Sequence, residues 1–250
     1  MNRYELINFL IKKHKYKSYL EIGVHNPTRC FDHIEIDNKT GIDPDTRAGA
    51  TYIKTSDDFF AQEGKNEKYD IIFIDGDHYH DQVIKDISNS LKRLNEKGTI
   101  VLHDMLYEDK VSPMNSRGTT CWKAFAALRT RRKDLLLVTV EIDMGVGIIQ
   151  RLNDFKLKYD HLPERFKIYD KDKLVLNPGI ELDSIDKKIK NDEERTRVYC
   201  QRALKPGVYP WADHERVHPR WLLNYFEDNY KHLMNSYPIE EFLSLKNIIF

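Results

Sequence analysis

Side chains that exchange protons near neutral pH bunch at two places in this chain, and both places are the ends of short apolar runs. Ile71-Ile72-Phe73-Ile74 stops at Asp75-Gly76-Asp77-His78, and Thr99-Ile100-Val101-Leu102 stops at His103-Asp104. Carboxylate and imidazole groups serve as general acids and bases when something holds them together. Here the residues between the two runs can do that. Val83, Ile87, Ser90, Leu91 and Leu94 recur at helical spacing, with Lys92, Arg93 and Lys97 where cations suit a helix end and Gly98 as the expected stop. A strand, a helix and a second strand joined by a right-handed crossover lie parallel, with their carboxyl ends on one edge. Asp75, Asp77, His78, His103 and Asp104 are therefore expected to converge there as an active site. His78 and His80 also fit plain surface histidines at a helix start.

The flanking elements should frame that edge. Leu6, Ile7, Leu10 and Ile11 share one face of a leading helix over Tyr4 to Lys15. Ser18 to Val24 reads as a brief strand carrying Glu21 two positions before Gly23, and Asn26-Pro27-Thr28 breaks it. Gly23 would let the backbone approach a ligand closely, as in nucleotide-binding first turns. About 20 residues further on, Thr40 to Asp45 is a second strand, and its Asp43 stands where doubly wound folds place an acid on ribose hydroxyls. Val24, His25 and Asn26 follow Gly23 without a second or third glycine, so a ligand with a ribose but no phosphates fits better than a dinucleotide. Ala50 to Lys54 reads as a third strand, followed by a short helix from Phe59. Ser56 or Asp57 would cap that helix or, in the functional reading, contact an adenine edge. Tyr107 to Thr120 is expected to be a long loop over the strand edge, and Cys121 to Arg129 a helix. Leu135 to Val140 and Gly147 to Gln150 pair around Gly145, which brings the count to seven strands.

Composition bounds the rest. Lys+Arg and Asp+Glu are 40 each, so bulk charge does not point to nucleic acid or an anionic membrane. No run approaches the roughly 18 apolar residues of a membrane span, and the N-terminus reads as an amphipathic helix, so a cytoplasmic protein is expected. Cys30, Cys121 and Cys200 are odd in number and show no CxxC pairing, which fits reduced thiols. One α/β domain is expected over 1–150, with a C-terminal helical appendage over 151–250. In that proline-punctuated, charged tail no strand stands out, though Arg220 to Leu233 has apolar residues at helical spacing. The aromatic and imidazole-rich stretch Val208 to His218 suits a surface wrap or dimer contact, or an acceptor-binding element.

YLEIGV, GIDPD, TSDDFF, YDIIFIDGDHYHDQVIKDI, GTIVLHD, GTTCWKAFAALR and GVGII resemble, in order and spacing, class I S-adenosylmethionine-dependent methyltransferases. The type is similar to the small-molecule and sugar O-methyltransferases of antibiotic and surface-polysaccharide pathways. The resemblance covers about residues 18 to 150. It implies a Rossmann-like seven-stranded α/β sheet with helices on both faces. Glu21 and Gly23 fall in the first cofactor motif, Asp43 at the ribose, and Ser56 and Asp57 near the adenine, with Asp75 also at the cofactor's edge. Metal-dependent relatives hold a divalent cation through acids after the fourth and fifth strands. That implies Asp75, His103 and Asp104 here, and imidazole in the set suits Mn²⁺ or Fe²⁺ better than Mg²⁺. Otherwise His103 and Asp104 simply close the strand and catalysis is metal-free.

The resemblance implies transfer of the S-adenosylmethionine methyl to a hydroxyl of a sugar, free or nucleotide-linked. Asp75, Asp77, His78 and His103 are the candidates for proton removal. The expected partner is the small-molecule acceptor, with a second copy of the chain as the other candidate. Rival readings are an N- or O-methyltransferase of another metabolite, or a cofactor-binding partner without turnover.

Overall fold

The computed structural model describes residues 1–106, 121–129, 132–162 and 235–245. In chain order the main elements are α1 (Arg3–His14), β1 (Tyr19–Ile22), β2 (Lys39–Asp43), β3 (Tyr52–Ile53), α2 (Ser56–Ala61), β4 (Tyr69–Ile74), α3 (His80–Arg93), β5 (Leu94–Leu102), α4 (Cys121–Arg129), β6 (Leu135–Val140), β7 (Val146–Arg151), β8 (Ser236–Tyr237) and α5 (Ile239–Ser244). They form one sheet of order β3-β2-β1-β4-β5-β7-β6-β8. β3, β2, β1, β4 and β5 are parallel, while β7 runs antiparallel to both β5 and β6.

The run Ile71-Ile72-Phe73-Ile74 forms β4 at the sheet's centre. Ile71, Ile72 and Phe73 are fully buried, as an interior parallel strand covered on both faces requires. Alternation then sorts the side chains. Ile72, Ile74, Ile100 and Leu102 face one layer with Phe59, Val83, Ile87, Trp122 and Phe125 of α2, α3 and α4. Ile71, Phe73 and Val101 face the other, which holds Leu6, Ile7, Leu10 and Ile11 of α1 and Phe242 of α5. At its start α1 is fixed by a reciprocal cap: Asn2 accepts from the Glu5 amide and Glu5 accepts from the Asn2 amide. At its end Lys15 takes the left-handed conformation at φ 57°.

Several sequence expectations change. Among the described residues the sheet has eight strands where seven were expected, because Ser236–Tyr237 in the tail adds an edge strand parallel to β6. Tyr237 is fully buried there, which a charged, strand-free tail did not suggest. Gly98 does not stop the helix. α3 ends at Arg93, β5 begins at Leu94, and the register shifts between Tyr69 and Ile71. Gly98 lies inside β5, at a position where a Cβ would stand 2.7 Å from the Asp70 carbonyl oxygen. The cap of α2 is neither Ser56 nor Asp57 but Thr55, whose hydroxyl accepts from the Asp58 amide at 3.1 Å. The third strand shrinks to Tyr52–Ile53. The loop over Tyr107 to Thr120, the aromatic stretch Val208 to His218, the helical pattern over Arg220 to Leu233, and Cys200 lie outside the described residues. Cys30 and Cys121 are buried free thiols.

Candidate active site

A cavity of about 770 Å³ opens at the carboxyl edge of the parallel strands, a size that suits a small-molecule ligand. The ladder bonds continue one residue past each strand and set its floor. The Gly23 amide donates to the Ile42 carbonyl at 2.9 Å, the Asp75 amide to Ile22 at 2.8 Å and the His103 amide to Ile74 at 3.0 Å. Gly23, at φ +88°, has a purpose other than ligand approach alone. A Cβ there would lie 2.3 Å from the Asp75 carbonyl oxygen, so glycine lets the ends of β1 and β4 close together.

On the first strand Glu21 is buried and accepts from the Tyr19 hydroxyl, not from backbone amides. Burial pushes its carboxyl up to about 8, with the Tyr19 hydrogen bond and the Arg3 charge opposing that shift. At the end of β2 the Asp43 carboxylate is held locally: Oδ2 accepts from the His25 amide at 2.8 Å and Oδ1 from the Asp45 amide at 2.8 Å. Between α2 and α3 the Gln82 amide nitrogen reaches Ser56 Oγ at 3.1 Å, Asp57 Oδ1 at 3.3 Å and Asp86 Oδ1 at 3.1 Å. Asp86 is buried in that wall, and burial pushes it up to about 6.

The acid–imidazole corner lies at the ends of β4 and β5. His103 Nδ1 is 3.2 Å from Asp75 Oδ1 and 3.1 Å from Asp104 Oδ1. His78 bridges the same acids, with Nδ1 3.1 Å from Asp104 Oδ2 and Nε2 3.5 Å from Asp75 Oδ1. Desolvation alone would raise the Asp75 carboxyl, but hydrogen bonds from His103 and His78 and the Arg3 charge bring it down to about 2. The bond to Asp75 raises His78 above its ordinary value. Burial disfavours a charged His103, yet Asp104 and Asp75 outweigh it and raise the ring's hold on a proton. Asp104 takes φ +56°, a left-handed turn that aspartate tolerates and that aims its side chain back at the corner. Asp77 is exposed, lines the same cavity and accepts from the Tyr79 amide at 3.1 Å. His80 opens α3.

Residues 18–105 match a family described as a methyltransferase domain. Over that segment the chain carries a methyltransferase domain of the class I S-adenosylmethionine-dependent kind. Among solved structures this methyltransferase is similar to a protein assigned as a caffeoyl-CoA O-methyltransferase from Staphylococcus aureus, at 18% identity and TM-score 0.43 over 60% of this chain and 84% of that one. A second is the O-methyltransferase TomG from Streptomyces achromogenes, involved in tomaymycin synthesis and bound to S-adenosylmethionine, at 13% and 0.45 over 59% and 78%. A third is MycE of the mycinamycin biosynthetic pathway, in complex with Mg, S-adenosylhomocysteine and mycinamycin VI, at 14% and 0.44 over 64% and 51%. No curated protein matches the sequence.

The methyltransferase's corner fits a divalent cation. One donor atom each from Asp75, His103 and Asp104 lies within 4.8 Å of the others. The 3.1 and 3.2 Å gaps to His103 Nδ1 approach the roughly 3 Å between adjacent ligands when bonds of about 2.1 Å meet at right angles. Apart from His103 Nδ1 at 3.1 Å, the buried Asp104 Oδ1 has no donor in hydrogen-bonding geometry among the described residues, so it retains acceptor capacity. His78, Asp104 and Cys121 form a second such group, but burial pushes the Cys121 thiol up, away from the thiolate a metal needs.

Sequence reasoning missed Arg3, Asp143, Gln82 and Asp86, all on the walls or rim of this site. Gln82 and Asp86, four apart on α3, offered a weak signal as polar residues on one helix face. Arg3 and Asp143 offered none, because they reach the site only through packing of α1 and of the turn between β6 and β7.

Proposed function

We propose that this methyltransferase methylates a hydroxyl of a small molecule, with a sugar as the acceptor in surface-polysaccharide assembly. The observation that carries O-methylation is His78, a half-exposed imidazole on the cavity wall, braced by Asp75 and Asp104. The sugar class is supported by the order and spacing of the motifs from YLEIGV to GVGII.

In this reading Asp43 accepts the ribose hydroxyls of S-adenosylmethionine. Ser56 and Asp57, joined to α3 through Gln82, border the adenine. Glu21, Gly23 and Asp75 line the path toward the sulfonium. The acceptor oxygen attacks the methyl carbon in line with sulfur: the O–C bond forms as the C–S bond breaks, and S-adenosylhomocysteine leaves with the electron pair. His78 takes the hydroxyl proton as the new bond forms, because its ring is more accessible than that of His103, which is 5% exposed. Asp75, His103 and Asp104 would hold a divalent metal, which when bound lowers the pKa of an adjacent hydroxyl. The mixed nitrogen and oxygen set favours Mn²⁺ or Fe²⁺ in affinity, and Mg²⁺ is the abundant competitor.

Residues 151–250 outside the sheet supply acceptor-binding or dimer surface in this reading, since Trp211, Trp221, Tyr225 and Phe226 are too apolar to leave in water. Unchanged acceptor KM and unchanged oligomeric mass in a Trp211→Ala, Trp221→Ala double variant would remove that assignment.

Labelled S-adenosylmethionine offered with a panel of sugars, nucleotide sugars and non-sugar alcohols or amines tests the acceptor. Label on a sugar hydroxyl is expected, and label only on amines would overturn O-methylation. Dialysis against EDTA should abolish turnover and Mn²⁺ restore it, with cofactor binding intact. Full activity after verified metal removal would delete the metal from the reading.

A further inference from the structure

The acidic corner already holds a cation, and it comes from outside the segment that matches the methyltransferase family. Arg3 sits on the first turn of α1. Its amide donates to Asp143 Oδ2 at 3.1 Å, and its Nε stands 3.7 Å from the same oxygen. Its Nη1 lies 2.6 Å from His103 Nε2, 3.1 Å from His103 Nδ1 and 3.6 Å from Asp75 Oδ2. The side chain is only 15% exposed, so packing holds it there.

The contact with His103 has a chemical consequence. A guanidinium only donates, and this one stands close to both ring nitrogens, so it covers the part of His103 that a metal would have to reach. A divalent cation in the same corner needs the Nδ1 lone pair. A metal bound there would stand beside the guanidinium, whose Nη1 is 3.1 Å from the same nitrogen. Two positive charges would also meet in a water-poor site. The two arrangements exclude one another. For the second, the nearest carboxylate to His103 Nε2 is Asp143 Oδ1 at 3.7 Å, which would have to move closer to accept its proton.

We propose that Arg3 is a resident counter-cation that competes with the divalent metal for the Asp75–His103–Asp104 corner, so that metal entry requires the guanidinium to leave His103 for Asp143. This rests on the metal assignment above. The start of α1 thereby sets the metal affinity of a site built by other elements.

Calorimetric titration of Mn²⁺ into the full chain, without S-adenosylmethionine or acceptor, tests it. Arg3→Gln should bind Mn²⁺ at least about tenfold more tightly than wild type, and Arg3→Lys, which keeps the charge, should stay closer to wild type. Arg29→Gln removes another cation lining the cavity and should change affinity by less than about twofold, because exposed charge is screened. Asp143→Asn removes the guanidinium's alternative partner and should weaken Mn²⁺ binding, an opposite shift that serves even if Arg3→Gln fails to fold. Equal affinities in wild type and Arg3→Gln, or weaker binding in the variant, would overturn the competition and leave the metal assignment standing. A tightening in Arg29→Gln as large as in Arg3→Gln would overturn it too, as a bulk charge effect. Absence of Mn²⁺ binding in every protein would remove the metal corner and this proposal with it.

Discussion

The two ends of the cavity are built by different means. At the ribose end, one carboxylate is fixed by backbone amides from its own neighbourhood, His25 and Asp45, before any ligand arrives. A carboxylate offers about four acceptor positions, so these two bonds leave capacity for hydroxyls. At the acid corner, side chains from α1, β4, β5 and the turn before β7 meet through charge, and each position depends on the others. The first end is preorganised by backbone amides at the ends of two paired strands, the second by side chains that packing of four elements brings together. Substitutions at the first should therefore act singly and on binding, and substitutions at the second should act together and on turnover.

The largest effect is expected at the corner. Asp104→Asn keeps the volume and tolerates the left-handed backbone, and turnover should fall by roughly 10²-fold or more while S-adenosylmethionine affinity stays within about twofold. Calorimetry and initial rates on the same sample would check both. A loss confined to cofactor binding would mean that the two ends are not separate. Next is the pH profile. His78 must be unprotonated to act as base, and Asp75 raises its pKa above 6.5, so kcat should climb with pH along a limb lying above the ordinary histidine value. His78→Gln should flatten that limb, and a limb at or below 6.5 would take the base away from His78.

At the ribose end Asp43→Ala should weaken S-adenosylmethionine binding by roughly 1.5–3 kcal/mol, the scale of hydrogen bonds to a charged group, with kcat at saturation little changed. Unchanged affinity in a folded variant would remove the ribose assignment. Glu21 lies between the ends and separates charge from shape. Its folded pKa is raised from 4.5 to about 8, so its contribution to stability is full below 4.5 and is lost as pH rises through about 8. Glu21→Gln should therefore melt no lower than wild type at pH 8, whereas Glu21→Ala leaves the buried Tyr19 hydroxyl only the Cys30 sulfur at 3.9 Å and should cost about 1–3 kcal/mol. The smallest effect is expected from Thr55→Ala, about 1 kcal/mol of stability from a lost cap and little change in cofactor binding. A larger loss of affinity would extend the ribose end into the start of α2.

Much of this arrangement is local in origin and was legible without coordinates. Period-two alternation, Asp43 at the close of a strand and the crossover between β4 and β5 follow from residue type and short-range spacing. They were enough to predict that Asp75, His78, His103 and Asp104 share an edge. Three features needed the folded chain. Gly23 and Gly98 answer to backbones distant in sequence, Tyr237 completes the sheet from the far end of the chain, and Arg3 reaches His103 across a hundred residues. No local pattern encodes such contacts, because they depend on how α1 and the turn at Asp143 pack against the strand ends. The sequence determined which groups could do chemistry and at which edge. Tertiary structure decided which cation stands beside them, since a buried charge is positioned by whatever element brings it there and not by its neighbours in the chain.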